Sequence, residues 1–136
     1  MMKLRIFSDG CSRGNPGPAG IGYVIYGEDG KVLREVSKPV GIRTGNEAEY
    51  IALIEALREA TRLGAEEVEC YSDSELLVRQ LRGEYAVRSP RLRARYRELI
   101  SLIKRFRSFR IAHVGREANR RADELAGRAA GRSSPL

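Results

Sequence analysis

The stretch TGNEAEYIALIEAL, residues 44–57, begins a long amphipathic segment that follows a strand-rich first third of the chain. Its apolar side chains recur three and four residues apart as far as Leu63, and Gly64 follows as a residue that commonly ends helices. The pattern predicts a helix over residues 46–63. A helical connection carries the chain back across a sheet, so we expect the next strand to run parallel to the first one.

Alternating apolar residues and turn signals on either side of this helix predict the remaining elements. Strands are predicted at residues 3–10, 21–27, 31–39, 66–73 and 109–115, and further helices at 74–81, 91–106 and 117–132. The second and third strands are joined by EDG (28–30), which is typical of a hairpin turn. The order βββαβααβα predicts an α/β fold with a five-stranded mixed sheet, three antiparallel and then two parallel strands, flanked by helices. We expect one domain over residues 1–131 and a flexible C-terminal tail over 132–136.

Charge is unevenly distributed along the chain. Residues 1–75 carry 9 basic and 13 acidic side chains, whereas residues 76–136 carry 16 basic and 5 acidic ones. This asymmetry fits a protein whose basic part binds a polyanion and whose carboxylates have a separate function. A solvated, arginine-rich helix face explains it equally well. No apolar run is long enough for a membrane-spanning helix, and two cysteines without a CxxC spacing favour a cytoplasmic location.

The predicted helix over residues 46–63 begins with two glutamates, Glu47 and Glu49. On a helical wheel Glu47 lies on the charged arc, and its spacing from Thr44 is that of a capping box. Glu49 lies on the opposite arc, among the apolar residues. A buried carboxylate costs several kcal/mol unless a partner or a metal compensates its charge. Glu49 is therefore the candidate functional residue of the two.

Three further carboxylates are predicted to converge with Glu49. Asp9 and Asp73 end the first and fourth predicted strands, and parallel neighbours bring such residues to the carboxyl edge of the sheet, where α/β folds place their sites. Asp123 lies at the margin of the apolar stripe of the last helix. Taken singly, each is more often a cap or a strand-end residue. Together they form a self-repelling cluster that suits divalent cations, and beside a basic half they predict hydrolysis or transfer at a nucleic-acid phosphate with two Mg²⁺ ions.

Four blocks of this sequence resemble the type 1 ribonuclease H family over about residues 3–130, in the family's order. The blocks are FSDGCSRGNPGPAGIGYV (7–24), TGNEAEYIALIEAL (44–57), YSDSELLVRQL (71–81) and HVGREANRRADELA (113–126). The resemblance implies a ribonuclease H-like fold and endonucleolytic cleavage of the RNA strand of RNA–DNA hybrids, leaving 5′-phosphate and 3′-hydroxyl ends. It also implies that two Mg²⁺ ions, or Mn²⁺, are held by the catalytic carboxylates Asp9, Glu49, Asp73 and Asp123.

The family also carries a basic residue before its last helix that assists product release. The only histidine, His113, lies ten residues before Asp123 and fits that position. The segment FRIAHV alternates well enough to continue a strand through His113, and in that case Arg116 in the following loop is the substitute.

Substrate contacts are implied by the resemblance at five positions, namely Gly14, Asn15, Thr44, Asn46 and Ser74. The loop over residues 14–17 lacks bulk, which lets the backbone approach the RNA minor groove, although a tight turn needs the same residues. Thr44 is implied to hold a DNA-strand phosphate, a role that competes with helix capping. Gln80 either shares the substrate-facing side of its helix or packs at the edge of that helix.

The sequence departs from the family pattern at two points. Gly45 stands where many members carry asparagine, and residues 82–90 are too short for the extra helix and basic loop with which some members hold the hybrid. Basic charge is instead supplied at Arg91, Arg93, Arg95 and Arg97, although their spacing does not place them on one helix face. We expect modest and strongly salt-dependent binding.

Two other functions remain open from the sequence alone. One is an enzyme on this scaffold that also cuts double-stranded RNA, because hybrid and RNA duplexes share an A-like form and 2′-hydroxyls. A catalytically silent nucleic-acid-binding module is the other possibility, but it would have no physical reason to hold four carboxylates against a polyanion. We expect an RNA–DNA hybrid as the partner, no membrane partner, and a monomer.

Overall fold

The computed structural model describes residues 2–131, so the tail predicted over 132–136 lies outside the described residues. The elements in chain order are β1 (Lys3–Ser12), β2 (Gly17–Tyr26), β3 (Val32–Arg43), α1 (Gly45–Arg62), β4 (Glu67–Ser72), α2 (Glu75–Leu81), α3 (Pro90–Ile103), β5 (Ser108–His113), a 3-10 helix (Arg116–Asn119) and α4 (Arg120–Ala129). Within residues 2–131, none of the helices is both long and apolar enough to cross a membrane.

The five strands form one mixed sheet in the order β3-β2-β1-β4-β5. The pairs β1/β2 and β2/β3 are antiparallel, and the pairs β1/β4 and β4/β5 are parallel. The predicted fold class is therefore confirmed, including the change from antiparallel to parallel pairing across α1. The parallel pairing of β1 with β4 runs as far as Ser8 and Ser72, which sets the place of the residues that follow.

The helix ends follow local chemistry. The Thr44 hydroxyl accepts a hydrogen bond from the Glu47 N–H at the start of α1, and Gly64 with φ +86° follows its end. The hydroxyls of Ser74 and Ser89 cap α2 and α3 in the same way, and Pro90 occupies the first position of α3. The predicted helix starts at these three places are thus correct to within two residues.

Several element boundaries differ from the prediction, among them those of β1, β2 and the last helix. Strand β2 begins at Gly17 rather than residue 21, because the Gly/Pro-rich segment pairs with β1 and β3 instead of forming one long turn. The predicted last helix is divided into the 3-10 helix and α4. Strand β1 continues past its predicted end at residue 10 as far as Ser12. Asp9 therefore lies inside β1 and not at its end.

Helices cover both faces of the sheet near β1. Helix α1 packs so closely on one face that a Cβ on Gly10 would lie 2.2 Å from the carbonyl carbon of Ala48. Helix α4 packs on the other face, where a Cβ on Gly22 would lie 2.4 Å from the carbonyl oxygen of Ala122. The main core lies between α1, α3 and the sheet and includes Leu4, Ile6, Leu53, Leu57, Val68, Leu99 and Ile111. The two glycines bring α1 and α4 against the same part of β1.

Candidate active site

Asp9 is the central residue of the site. It faces α4, pairs across the sheet with Gly22, and is only 4% exposed. The absence of a side chain at Gly22 lets α4 approach, and Asp123 on α4 forms a side-chain hydrogen bond with Asp9. The fourth predicted carboxylate therefore reaches the site from the opposite side of the sheet to α1.

Glu49 reaches the site from the first turns of α1. Its Oε1 accepts a hydrogen bond of 2.8 Å from the backbone N–H of Gly10, the residue after Asp9. This contact needs the close packing of α1 on Gly10, since any side chain there would push the helix away. A backbone glycine thus orients the carboxylate that the helical wheel singled out.

Asp73 follows directly after β4 and lies beside Asp9, because the parallel register ends at the preceding residues, Ser8 and Ser72. One carboxylate oxygen from each of Asp9, Glu49 and Asp73 lies within 4.8 Å of the other two. The four residues predicted to converge are therefore brought together, three as a compact group and Asp123 through its contact with Asp9.

The electrostatics of this group are unfavourable without a cation. Burial raises the pKa of Asp9, and the charges of Glu49 and Asp73 raise it further. Burial and the charge of Asp73 likewise raise the pKa of Glu49, although the hydrogen bond from Gly10 opposes that shift. Converging oxygen ligands with excess negative charge are what a hard divalent cation such as Mg²⁺ prefers, so the residues present fit a metal centre.

Glu47 is buried, although it lies on the charged arc of the helix. The helical wheel places it there, yet it is only 5% exposed. Its Oε1 accepts a 3.0 Å hydrogen bond from the Thr44 N–H, which completes the predicted capping box, and lies 3.5 Å from Arg91 on α3. Burial alone would raise the pKa of Glu47, but the hydrogen bonds with Thr44 and the charges of Arg91 and Arg43 hold it below its usual value. Glu47 is thus a buried structural carboxylate.

His113 is the last residue of β5, so the strand interpretation of this histidine is confirmed. It is exposed, and its register partner in β4 is Ser72, the residue before Asp73. Arg116 is also exposed and begins the 3-10 helix rather than lying in an open loop. Both candidate basic residues are therefore accessible, His113 lies beside the end of β4 that precedes Asp73, and the roles of both stay predictions.

Four of the five predicted substrate contacts lie in two groups. Gly14 and Asn15 are exposed in the β1–β2 connection, where the Gly14 N–H donates to the Ser12 hydroxyl at 3.2 Å. Thr44 and Asn46 lie at the start of α1, the first half-buried as its cap and the second exposed. The Ser12 hydroxyl donates to the Arg43 carbonyl oxygen at 2.8 Å and so ties the first group to the second.

Two other residues from the sequence argument have structural roles. The Ser74 hydroxyl caps α2 and accepts from the Leu77 N–H at 3.2 Å. Gln80 is buried, and its side chain joins the Tyr50 hydroxyl at 2.5 Å to the Ala86 carbonyl oxygen at 3.2 Å. Gln80 therefore packs inside the protein. Cys11 is half-buried and Cys70 is buried, where burial raises the pKa of the Cys70 thiol.

Asn119 is a residue of the site region that the sequence argument missed. It is 1% exposed, and its Nδ2 donates a 2.9 Å hydrogen bond to the Ser8 carbonyl oxygen, directly before Asp9. Its Oδ1 is buried and accepts no hydrogen bond from the described residues. Asn119 lies four residues before Asp123, a spacing that marks one side of a helix and was available in the sequence.

Comparisons with known proteins show which proteins this chain resembles. Residues 7–129 match the family described as reverse transcriptase-like. Ribonuclease HI of Halobacterium salinarum is 40% identical over 127 residues, which cover 93% of this chain and 64% of the relative. A bifunctional protein of Mycobacterium tuberculosis is 43% identical over 126 residues, covering 92% of this chain and 35% of that protein. The chain thus spans less than two thirds of the length of these relatives.

Solved structures match more completely. The crystal structure of the Halobacterium salinarum protein superposes with a TM-score of 0.91 at 40% identity, covering 93% of this chain and 96% of the other. The N-terminal ribonuclease H domain of the Mycobacterium tuberculosis protein gives 0.90 at 42% identity, covering 93% and 98%. A ribonuclease H1 designated LC11, solved in complex with an RNA/DNA hybrid, gives 0.87 at 44% identity, covering 93% and 95%.

Proposed function

This chain belongs to the ribonuclease H family, and we propose that it is an endonuclease that hydrolyses the RNA strand of RNA–DNA hybrids and leaves 5′-phosphate and 3′-hydroxyl ends. Residues 1–131 form the catalytic domain, which acts as a monomer. The LC11 relative, 44% identical, was solved with an RNA/DNA hybrid, and this supports the choice of substrate.

The observation that carries the proposal is the carboxylate group at one edge of the sheet. Oxygens of Asp9, Glu49 and Asp73 lie within 4.8 Å of one another, and Asp123 contacts Asp9. Burial and the mutual repulsion of these carboxylates cost the folded protein stability, and the group would repel a nucleic acid unless cations were bound.

We assign all four carboxylates as ligands of two Mg²⁺ ions, with Mn²⁺ as the alternative. When bound, such ions lower the pKa of a water that attacks phosphorus and stabilise charge on the leaving 3′ oxygen. Gly10 fixes the carboxylate of Glu49 through its N–H, and Gly22 fixes the distance between Asp9 and Asp123 by admitting α4. Pre-positioned ligands of this kind reduce the reorganisation needed during the reaction.

Although His113 is a strand residue, it is the exposed last residue of β5, so we keep it as the first candidate for product release, with Arg116 as the alternative. Both are exposed, and His113 pairs in register with the residue that precedes Asp73. A cation or a proton donor at this position would compensate charge on a departing phosphate. Gly14, Asn15, Thr44, Asn46 and Ser74 are assigned to substrate contacts on the resemblance to the family, and the exposure of Gly14, Asn15 and Asn46 supports the assignment of those three.

Cleavage of one labelled RNA strand tests the proposal. The strand is presented paired with DNA, paired with RNA, or alone, in Mg²⁺, in Mn²⁺ and in EDTA. We expect metal-dependent cutting of the DNA-paired RNA and none in EDTA. Cutting of both duplexes would broaden the substrate to double-stranded RNA, and binding without cutting in either metal would contradict an enzymatic function.

A further inference from the structure

Asn119 occupies the N-cap position of α4, but its side chain does not cap that helix. Asparagine is preferred at this position because its side-chain oxygen accepts from the first free N–H groups of a helix. Among the described residues the Asn119 side chain makes no such capping hydrogen bond. Its Nδ2 instead donates to the carbonyl oxygen of Ser8, 111 residues earlier in the chain, at 2.9 Å. The side chain therefore serves a contact with β1 and not its own helix.

Stability alone does not explain an asparagine at this position. The residue is 1% exposed, and its Oδ1 accepts no hydrogen bond within residues 2–131. A buried acceptor without a donor costs stability, and so does a helix end without a cap. An apolar residue of similar size would avoid the first of these costs. The choice of asparagine is therefore better explained by what its hydrogen bond holds in place.

This hydrogen bond joins the two elements that carry Asp9 and Asp123. Ser8 directly precedes Asp9 and is paired in register with both β2 and β4, so the sheet fixes β1 at this point. Asp123 follows Asn119 by four residues, about one helical turn, and its side chain is hydrogen-bonded to Asp9. A shift at the start of α4 would thus move Asp123, whereas Asp9 would stay in the sheet.

Two further contacts hold α4 on β3 rather than on β1. The Ser37 hydroxyl donates to the Leu125 carbonyl oxygen at 2.6 Å, and Arg121 Nε donates to Glu35 at 2.8 Å. Strand β3 lies two places from β1 in the sheet, so these contacts fix the outer side of the helix. Asn119 fixes the beginning of the helix beside the strand that carries Asp9.

We propose that Asn119 is a positioning residue that sets the distance between the carboxylates of Asp9 and Asp123, and thereby the affinity of the site for a divalent cation. The inference rests on the proposed function for the presence of that cation. Residues that orient metal ligands without binding the metal contribute roughly 10- to 100-fold to metal affinity. Asn119 acts through Asp123 and is not itself a ligand.

Binding of Mn²⁺ to the protein without nucleic acid tests this role, because it does not depend on cleavage. Electron paramagnetic resonance measures the unbound ion during titration of the wild-type, Asn119→Ala and Ser37→Ala proteins. Ser37→Ala is the matched control, since it also removes one hydrogen bond to α4, but on the side of β3. We expect Asn119→Ala to weaken Mn²⁺ binding roughly tenfold and Ser37→Ala to change it by less than about twofold.

The same titration in an Asp123→Asn background separates positioning from a general loss of structure. Asn119→Ala should weaken binding there by less than about twofold more, because the carboxylate that it positions has been removed. An equal loss in both backgrounds, an equal loss in Ser37→Ala, or no loss in the single variant would overturn the positioning role. Circular dichroism checks the fold of each protein. Asn119→Thr, which leaves a smaller gap, replaces the alanine variant in all titrations if that variant does not fold.

The wild-type protein tests the proposed function separately. A wild-type chain that binds Mn²⁺ and cuts the hybrid keeps that function even if Asn119→Ala binds the ion equally well, and only the positioning role is then overturned. A wild-type chain that binds no Mn²⁺ would contradict the metal site itself, and the role of Asn119 with it.

Discussion

Glu47 and Glu49 are separated by one residue on α1, Glu47 is buried and Glu49 is half-buried, and their environments have opposite effects on their pKa values. Glu47 contacts Thr44 N–H and Arg91, and the pKa of its carboxyl is held below the usual value. Glu49 contacts Gly10 N–H but faces Asp9 and Asp73, and its pKa is raised by burial and by like charge. The sign of the neighbouring charge, rather than the depth of burial, separates a structural carboxylate from one suited to a cation.

The largest effect on the cleavage rate should come from substitution of Asp73, whose only assigned role is in the carboxylate group. Replacement of Asp73 with Asn should lower the cleavage rate by roughly 1,000-fold, equivalent to about 4 kcal/mol of transition-state stabilisation. The fold should be unchanged, because Asp73 follows β4 and is not part of the core. Rate measurements at saturating hybrid, with circular dichroism as the check on folding, decide this. A variant that kept a tenth of the wild-type rate would contradict the metal-ligand assignment.

The roles of Glu47 and Glu49 can be compared directly by replacing each with glutamine. Glu49→Gln should lower kcat by roughly 100-fold or more, because one metal ligand is weakened, whereas Glu47→Gln should change kcat by less than about threefold. Both changes remove one charge from the same helix, so each serves as the control for the other. The reverse order of effects would show that Glu47 and not Glu49 serves the reaction.

The pattern of elements was predictable because it depends on short-range signals. The EDG turn, the Thr44 cap and Gly64 each act within a few residues, and the helical connection requires parallel pairing. The start of β2 at Gly17 was missed because glycine-rich sequence favours a turn when read alone. Gly22 is used inside the strand for a different reason, the approach of α4 from a hundred residues further along the chain.

The carboxylate site was predictable for a similar reason. Asp9 and Asp73 are placed by strand register, and Glu49 by the helical period, so local patterns carried all three. Two features of the site were not accessible in this way. The burial of Glu47 depends on Arg91, which is 44 residues away, and the role of Asn119 depends on its 2.9 Å contact with the Ser8 carbonyl oxygen. Long-range pairs of this kind leave no periodic signal in a single sequence.

In the metal-free protein, removal of a charge from the carboxylate group should increase the free energy of unfolding, although the same change lowers activity. Asp9→Asn should raise the free energy of unfolding by up to about 4 kcal/mol at pH 7, which lies about three units above the unfolded pKa, because roughly 1.4 kcal/mol accompanies each unit. The raised pKa means that Asp9 contributes most favourably below its unfolded value near about 4, and that stability is lost as the pH rises above it. The gain should therefore shrink in acid.

Urea unfolding in EDTA at neutral and acidic pH measures this gain. Added Mg²⁺ should reduce the difference between Asp9→Asn and the wild-type protein, because the cation stabilises only a site with its ligands intact. A variant less stable than the wild-type protein at neutral pH would mean that Asp9 holds the fold together rather than costing it stability.

The smallest effect is expected at Glu47, where the substitution to Gln keeps a hydrogen-bond acceptor for the Thr44 N–H and removes only the charge. The lost interactions with Arg91 and with the N-terminal end of α1 should lower the free energy of unfolding by about 0.5 to 1 kcal/mol. Because the pKa of Glu47 is depressed in the folded state, its contribution is present above the unfolded value near about 4.3 and is lost as the pH falls through the folded value. Urea unfolding should thus separate Glu47→Gln from the wild-type protein at pH 7 and bring the two together in acid. The stability difference between Asp9→Asn and the wild-type protein also shrinks in acid, but it has the opposite sign at pH 7. A Glu47→Gln protein that was more stable than the wild-type protein would show that Glu47 is repelled by its neighbours, as Asp9 is. The distinction between the two glutamates would then be lost.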